Sequence, residues 1–230
     1  MEGIKVIGFD ADDTLWENET FFREAENEFA HLMQAYSEEK DVLKELYKVE
    51  MDNMPIYGYG IKAFVLSLLE TATIITGGKL SSGQAEQILA IGKTMLHKPV
   101  ELLDGVEEVL RFLSAKYRLI VATKGDLLDQ ERKLNKSGLI KYFHHIEVMS
   151  DKHPKAYLKL IKHLDILPEQ FLMVGNSMKS DVIPVVEIGG FGMHIPFHTT
   201  WQHEVVESVH DSVRMVELEK LTDVLSYFKY

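Results

Sequence analysis

Near its amino terminus the chain reads Val6-Ile7-Gly8-Phe9-Asp10-Ala11-Asp12-Asp13-Thr14, an apolar run followed at once by carboxylates. The apolar run predicts a short buried strand, and the polar cluster marks its carboxyl end, where open α/β sheets bind ligands. If the backbone stays extended beyond Phe9, Asp10 and Asp12 point to the same side. Two carboxylates that share a small space resist joint ionisation, so either a divalent cation neutralises them or one keeps its proton. Alone, the pattern fits a polar turn equally well, and the rest of the chain decides.

The composition is that of a soluble globular protein, and it excludes several classes of function. With 230 residues, 46% of them hydrophobic, the chain can bury one large core or two small ones. A net charge of −11 argues against nucleic acid and anionic membranes as partners, because both normally require a basic face. The absence of cysteine excludes thiolate chemistry and sulfur metal sites. We see no signal peptide, and the longest apolar segment, 63–75, is too short to cross a bilayer, so a cytoplasmic location is expected.

Residues 17–98 show helical periodicity without a convincing strand, which predicts an all-helical insertion. Four helices fit this length, and Ser81 with Gln84 forms a capping box at the start of the fourth. Pro55 and the glycines that follow it are expected to break the series after the second helix. The predicted domains are therefore an α/β core, residues 1–16 and 99–230, and a small all-helical domain, residues 17–98.

From residue 104 onward, helices and strands alternate, which predicts a Rossmann-like, mainly parallel sheet with helices on both faces. The fold class is thus α/β. After the first strand, the predicted strands are 118–122, 145–148, 171–174 and one near 193–195. The predicted helices between and after them are 127–136, 154–164, 180–188 and 218–228.

Polar residues follow the later strands as they follow the first. Thr123-Lys124-Gly125 ends the second strand, Lys152 precedes a helix, and Gly175-Asn176-Ser177-Met178-Lys179-Ser180-Asp181 follows the fourth. Together with Asp10-Ala11-Asp12, these motifs in this order resemble the haloacid dehalogenase superfamily of hydrolases, most of whose members are phosphatases. The resemblance covers the whole length, and four short motifs in order are far more specific than one. Pro154 fits the first turn of a helix, which leaves Lys152 rather than Lys155 on the preceding loop.

The resemblance implies catalytic roles that match what phosphoryl transfer requires. Asp10 is the expected nucleophile and forms an aspartyl-phosphate. Asp12 is expected to protonate the leaving alkoxide and later to activate water. Positive charge and hydrogen-bond donors are needed around the equatorial oxygens. The resemblance assigns this phosphate-binding role to Thr123, Lys124, Gly125 and Lys152.

Mg²⁺ is the expected cofactor, because the available ligands are hard oxygens. The resemblance implies coordination by the Asp10 carboxylate, the Asp12 backbone carbonyl and Asp181. Asn176 stands where the family usually has an aspartate, so it is expected to hydrogen-bond a metal-bound water. Asp13 replaces a frequent glycine, and a short aspartate tolerates unusual turn dihedrals, so its role is interpreted as structural.

The insertion between the first two motifs places the chain, by resemblance, among members with a helical cap over a small-molecule site. Such a lid excludes water and contacts the leaving group. The segment from His198 to His203 is a further candidate for the pocket rim, although two histidines five residues apart are weak grounds for a metal site. The candidates for substrate contact, for which packing and turn formation are equally good explanations, are Trp16, Glu17, Asn18, Tyr57 and Tyr59.

These observations predict a hydrolase, specifically an Mg²⁺-dependent phosphatase that acts on a small phosphorylated metabolite. A phosphomutase differs only in where the phosphoryl group goes next and stays open. A 2-haloacid dehalogenase also uses an aspartate nucleophile, but halide departure does not need Asp12. A non-catalytic phosphate-sensing module is the remaining alternative, and the intact Asp12 argues against it. The substrate and the oligomeric state are left open by the sequence.

Overall fold

The computed structural model describes residues 3–206 and 212–228 and contains a parallel six-stranded sheet. The strand order is β3-β2-β1-β4-β5-β6, and each neighbouring pair is parallel. The predicted α/β fold class is confirmed. The strands are β1 Val6–Phe9, β2 Arg118–Lys124, β3 His145–Met149, β4 Phe171–Gly175, β5 Phe191–His194 and β6 Met215–Glu217.

The four residues of β1 are fully buried because this strand lies at the centre of the sheet, between β2 and β4. Successive side chains point to opposite faces. Ile7 and Phe9 join one apolar cluster, and Val6 joins another that includes Tyr157 and Phe171. A strand covered on both faces reads as a continuous apolar run, which is why the sequence predicted it correctly.

Helices connect the strands, as the alternating pattern predicted. They are α5 Val106–Ser114, α6 Leu127–Ser137, α7 Pro154–His163 and α8 Ile183–Glu187. The predicted single helix 180–188 is wrong, because a π turn at Met178–Val182 precedes the short α8. Pro184 cannot donate to the Ser180 carbonyl, and the Tyr157 hydroxyl donates to that carbonyl instead, at 3.0 Å.

Two features near the carboxyl terminus add to the sequence analysis. Strand β6 was not predicted, since three residues carry too little periodicity to be recognised. The predicted helix at 218–228 is present as a 3₁₀ helix, Leu221–Phe228, whose Leu221, Val224 and Phe228 are buried.

The chain divides into two compact units. The first contains the described residues of Met1–Glu19, Val100–Lys124 and Gln130–Tyr230, and the second contains Thr20–Pro99 and Gly125–Asp129. The sequence boundaries, at residues 17 and 98, lie close to these limits, but the return of 125–129 to the second unit was not foreseen.

The second unit is built from four helices packed around an apolar core that includes Phe29, Leu46, Leu68 and Ile88. The predicted break between Pro55 and the glycines that follow it is confirmed: α2 continues through Pro55 to Tyr57, and Gly58, with φ of 72°, ends it. The Ser81 and Gln84 capping box is confirmed. The helices are α1 Glu19–Met33, α2 Glu39–Tyr57, α3 Ile61–Ile75 and α4 Ser82–His97.

Within residues 3–206 and 212–228, no helix has the length and apolar character needed to cross a membrane.

Candidate active site

The catalytic loop follows β1 and turns at once instead of staying extended. The Leu15 amide donates to the Ala11 carbonyl at 2.8 Å, and Asp13 has φ of 61°. The premise that Asp10 and Asp12 point to the same side of an extended chain is therefore wrong. The structural role of Asp13 is confirmed: its Oδ1 accepts from the backbone amides of Asn18, at 2.8 Å, and Glu19, at 3.0 Å. Burial raises the pKa of Asp13 to about 7.

Asp10 lies against a buried lysine. The Lys152 ammonium is 2.5 Å from Asp10 Oδ1 and 2.6 Å from Asp181 Oδ1, and 1% of the Lys152 side chain is exposed. Lys152 occupies the loop between β3 and α7, as predicted, whereas Lys155 lies in α7 and is exposed. The structure thus brings together one residue from each of three motifs.

Burial is the largest influence on the ionisation of these groups. It raises the pKa of Asp10 to about 7; the Lys152 ammonium opposes the rise, and the Asp181 carboxylate adds to it. Burial alone would lower the pKa of Lys152, but Asp10 and Asp181 raise it well above its usual range. Lys152 therefore stays charged at neutral pH.

Three side-chain donors contact the Asp12 carboxylate. Its Oδ1 accepts from the Lys133 ammonium, at 2.5 Å, and from the indole N–H of Trp16, at 2.7 Å. Its Oδ2 accepts from the Gln130 side chain at 2.8 Å. Trp16 was a candidate for substrate contact, but only 1% of it is exposed and its N–H is directed at Asp12. The roles of Gln130 and Lys133 were not predicted, although a three-residue spacing on a helix indicates a shared face.

Oxygen atoms from two motifs meet at the Thr14 hydroxyl. This hydroxyl lies 3.4 Å from Asp10 Oδ2 and 3.3 Å from the side-chain oxygen Oδ1 of Asn176. It also accepts a hydrogen bond from the backbone N–H of Asn176 at 3.0 Å. One hydroxyl proton can serve only one of the two oxygens. The other oxygen keeps an unused lone pair, which fits a hard cation. Among the described residues, no group of three or more Asp, Glu or His side chains is positioned to bind a metal.

Asp181 has both carboxylate oxygens in hydrogen bonds, Oδ1 with Lys152 and Oδ2 with the Ser177 amide at 3.0 Å. The geometry therefore makes Asp181 a partner of Lys152. It leaves Asn176 with an oxygen better placed for a cation than the sequence suggested.

The end of β2 carries the remaining phosphate-binding candidates. Thr123 is 1% exposed, and its hydroxyl lies 3.2 Å from the Lys124 carbonyl oxygen. The Lys124 ammonium is 2.5 Å from Glu204 Oε1, a partner that the sequence did not indicate. Gly125 follows with φ of 122°, a backbone conformation that glycine adopts without strain.

The remaining candidates are Tyr57 and the segment from His198 to His203. Tyr57 is the last residue of α2 in the second unit and is 47% exposed. In the segment from His198 to His203, the two histidine rings contact aromatic neighbours, Phe197 and Trp201 respectively. Burial lowers the pKa of His203, and nearby Lys179 lowers it further.

Comparison with known proteins identifies the family. The family model of haloacid dehalogenase-like hydrolases matches residues 4–189, which is most of the chain. The chain belongs to this family. The predicted resemblance and the prediction of a hydrolase are both confirmed.

Known proteins resemble this haloacid dehalogenase-like hydrolase in sequence, in fold or in both. The crystal structure of a haloacid dehalogenase-like family hydrolase from Xanthomonas campestris is 36% identical, with a TM-score of 0.89, and the match covers 98% of this chain and 91% of that one. A curated glyceraldehyde 3-phosphate phosphatase from Pyrococcus furiosus is 28% identical over 204 residues, which cover 82% of this chain and 79% of the relative. A 2-haloacid dehalogenase from Pseudomonas syringae, 19% identical with a TM-score of 0.63 over 98% of this chain and 100% of that one, shows a likeness of fold alone.

Proposed function

We propose that this protein is an Mg²⁺-dependent phosphatase that hydrolyses a small phosphomonoester through an aspartyl-phosphate on Asp10. The observation that carries the proposal is the contact of the Lys152 ammonium with both Asp10 and Asp181. A carboxylate can attack a phosphoryl group to form a covalent intermediate, and a fixed positive charge beside it stabilises the negative charge of the phosphoryl oxygens. The name of the relative from Pyrococcus furiosus, a phosphatase, supports the reaction class.

In the first half-reaction, an Asp10 carboxylate oxygen attacks phosphorus and the bond from phosphorus to the ester oxygen breaks. Asp12 donates a proton to the departing alkoxide, which leaves as a neutral alcohol. Lys152 offsets the negative charge of the phosphoryl oxygens, and the Thr123 hydroxyl with the amides of Lys124 and Gly125 complete their hydrogen bonding.

In the second half-reaction, Asp12 removes a proton from a water molecule, which attacks phosphorus. The bond between phosphorus and Asp10 breaks, inorganic phosphate leaves, and both aspartates return to their starting states. Lys133, Gln130 and Trp16 fix the orientation of Asp12 for both transfers. Asp10 therefore serves as the nucleophile, and Asp12 serves as the general acid and base.

The residues present fit Mg²⁺. Asp10 Oδ2 and Asn176 Oδ1, which both lie near the Thr14 hydroxyl, would supply two hard oxygen ligands. The Asp12 backbone carbonyl would be the third ligand. Asp181 would either be a fourth ligand or act indirectly, by holding Lys152. When bound, the cation supplies positive charge to the phosphoryl oxygens. An amide at position 176 gives this site one negative charge fewer than an aspartate would.

Phosphate release from p-nitrophenyl phosphate and a panel of metabolite monophosphates tests this proposal. We expect release to require Mg²⁺, to stop on chelation, and to fall about a thousandfold or more in Asp10→Asn, because the amide is not a nucleophile. Asp52→Asn removes the same charge from an exposed position of α2 and is expected to retain full activity.

Two results would contradict the proposal: undiminished release by Asp10→Asn, or release that is indifferent to Mg²⁺. Isomerised substrate without free phosphate would instead identify a phosphomutase. Chloride release from a 2-haloacid, with no phosphate release, would identify a dehalogenase.

A further inference from the structure

Beside the proposed catalytic groups, the first unit contains a carboxylate that no part of the mechanism uses. Glu204 ends a 3₁₀ turn, Gln202–Glu204, and only 11% of its side chain is exposed. Its Oε1 is 2.5 Å from the Lys124 ammonium. Its Oε2 accepts from the Ser180 hydroxyl at 2.6 Å and from the Ser177 hydroxyl. Glu204 therefore has one cation and two hydroxyl donors.

This network reaches the catalytic groups through short steps. Lys124 directly follows Thr123 at the carboxyl end of β2, and its ammonium also donates to the Ser180 hydroxyl at 3.0 Å. Ser180 precedes Asp181, which accepts from the Lys152 ammonium. The carboxylate of Glu204 thus lies at the edge of the sheet where the substrate must bind.

Glu204 is held firmly and stays charged. The exposed Lys179 donates to the His203 carbonyl at 2.7 Å, which ties the turn to the loop after β4. Burial would raise the pKa of Glu204, but Lys124 and the serine hydroxyls lower it to about 2. At neutral pH the Lys124 charge is therefore matched by a fixed negative charge.

An unpaired Lys124 ammonium beside Thr123 would attract a second anionic group of a substrate, such as a carboxylate. Glu204 removes that attraction, because its carboxylate matches the Lys124 charge. A second anionic group would then lose its hydration without gaining a cation in return. An ester of a neutral alcohol has no such cost.

We propose that Glu204 is a specificity-determining residue that restricts the substrate to phosphomonoesters whose leaving group is uncharged, such as a polyol, a sugar or a hydroxyaldehyde. This inference rests on the proposed phosphatase function and adds the charge class of the substrate. It assigns selection by charge to a segment outside the sequence motifs.

The test compares two substrates of matched size, 2-phosphoglycolate and 2-hydroxyethyl phosphate, which differ in a carboxylate against a hydroxymethyl group. In the wild-type protein we expect kcat/KM to favour the neutral ester by about tenfold or more. In Glu204→Gln the ratio of kcat/KM for phosphoglycolate to that for hydroxyethyl phosphate should rise about tenfold. Glu169→Gln, an equal change of charge at an exposed position in the 3₁₀ turn Pro168–Gln170 before β4, should leave the ratio as in the wild type.

Each outcome of this comparison either supports or overturns the inference. A wild-type protein that prefers phosphoglycolate overturns the inference even if Glu204→Gln does not fold. An unchanged ratio in a folded Glu204→Gln, with both activities reduced alike, shows that Glu204 only anchors the loop, and it leaves the phosphatase intact. No release from either ester or from p-nitrophenyl phosphate overturns the proposed function itself.

Discussion

Single residues set the geometry of the candidate site, and Gly175 is the sharpest case. It is the last residue of β4, and a β-carbon built there would lie 2.2 Å from Asp181 Oδ2. The absence of a side chain is what allows Asp181 to reach Lys152. A carboxylate held by lysine and by a backbone amide has no room to move aside.

We therefore expect Gly175→Ala to lower the free energy of unfolding by about 1–3 kcal/mol, through overpacking, and to reduce kcat sharply. Gly83→Ala is the matched control, because Gly83 lies in α4 with open space around its α-carbon and alanine favours helices. Thermal unfolding and phosphate release measure both effects. Equal behaviour of the two variants would contradict the account of Gly175.

At the same scale, Lys133 is expected to position Asp12. Lys133→Ala removes the ammonium 2.5 Å from Asp12 Oδ1, and we expect kcat to fall about tenfold or more, with a changed pH profile and a smaller effect on KM. Lys136→Ala, one turn further along α6 and exposed, should match the wild type. If Lys133→Ala alters KM alone, the positioning role is wrong.

At the scale of elements, buried polar groups determine how two of the segments behave. The π turn before α8 lies where Pro184 has no backbone N–H to donate and the Tyr157 hydroxyl donates to the Ser180 carbonyl instead. In the helical unit, Glu50 of α2 is half-buried near Glu26 of α1. Burial and, to a smaller extent, the neighbouring Glu26 carboxylate raise the pKa of Glu50 to about 8, although Arg23 opposes the rise.

The raised pKa makes the stability of the helical unit depend on pH. The folded chain binds this proton more tightly than the unfolded chain, whose Glu50 titrates near 4.5, so stability is lost as pH rises from about 4.5 to about 8. Glu50→Gln should raise the free energy of unfolding by about 1 kcal/mol or more at pH 9, and by less toward pH 5. Glu86→Gln, on the exposed face of α4, should show the pH dependence of the wild type.

Denaturant unfolding at pH 5, 7 and 9 provides this measurement. A Glu50→Gln variant whose stability falls with pH as steeply as that of the wild type would show that Glu50 titrates as an exposed carboxylate.

At the scale of the whole molecule, the sequence predicted those features that local pattern encodes. The central strand was recognisable because Val6–Phe9 is buried on both faces. Asp10, Lys152 and Asp181 were recognisable as candidates because each follows a strand or precedes a helix. Gln130 and Lys133 were missed because polar residues on a helix resemble a solvated face.

Glu204 was missed for a different reason. Its partner Lys124 lies 80 residues away in the chain, and no pattern relates the two positions. The three-residue strand β6 and the π turn at Met178–Val182 also depend on tertiary contacts rather than on local periodicity.

Detection of the phosphorylated enzyme tests the central claim most directly. Wild-type protein turning over p-nitrophenyl phosphate with Mg²⁺ is quenched in acid, digested, and mapped by mass spectrometry. We predict one phosphoryl group on the peptide that contains Asp10, and none in Asp10→Asn treated identically. Phosphate released during turnover with no modified Asp10, or with the phosphoryl group on another residue, would contradict the account.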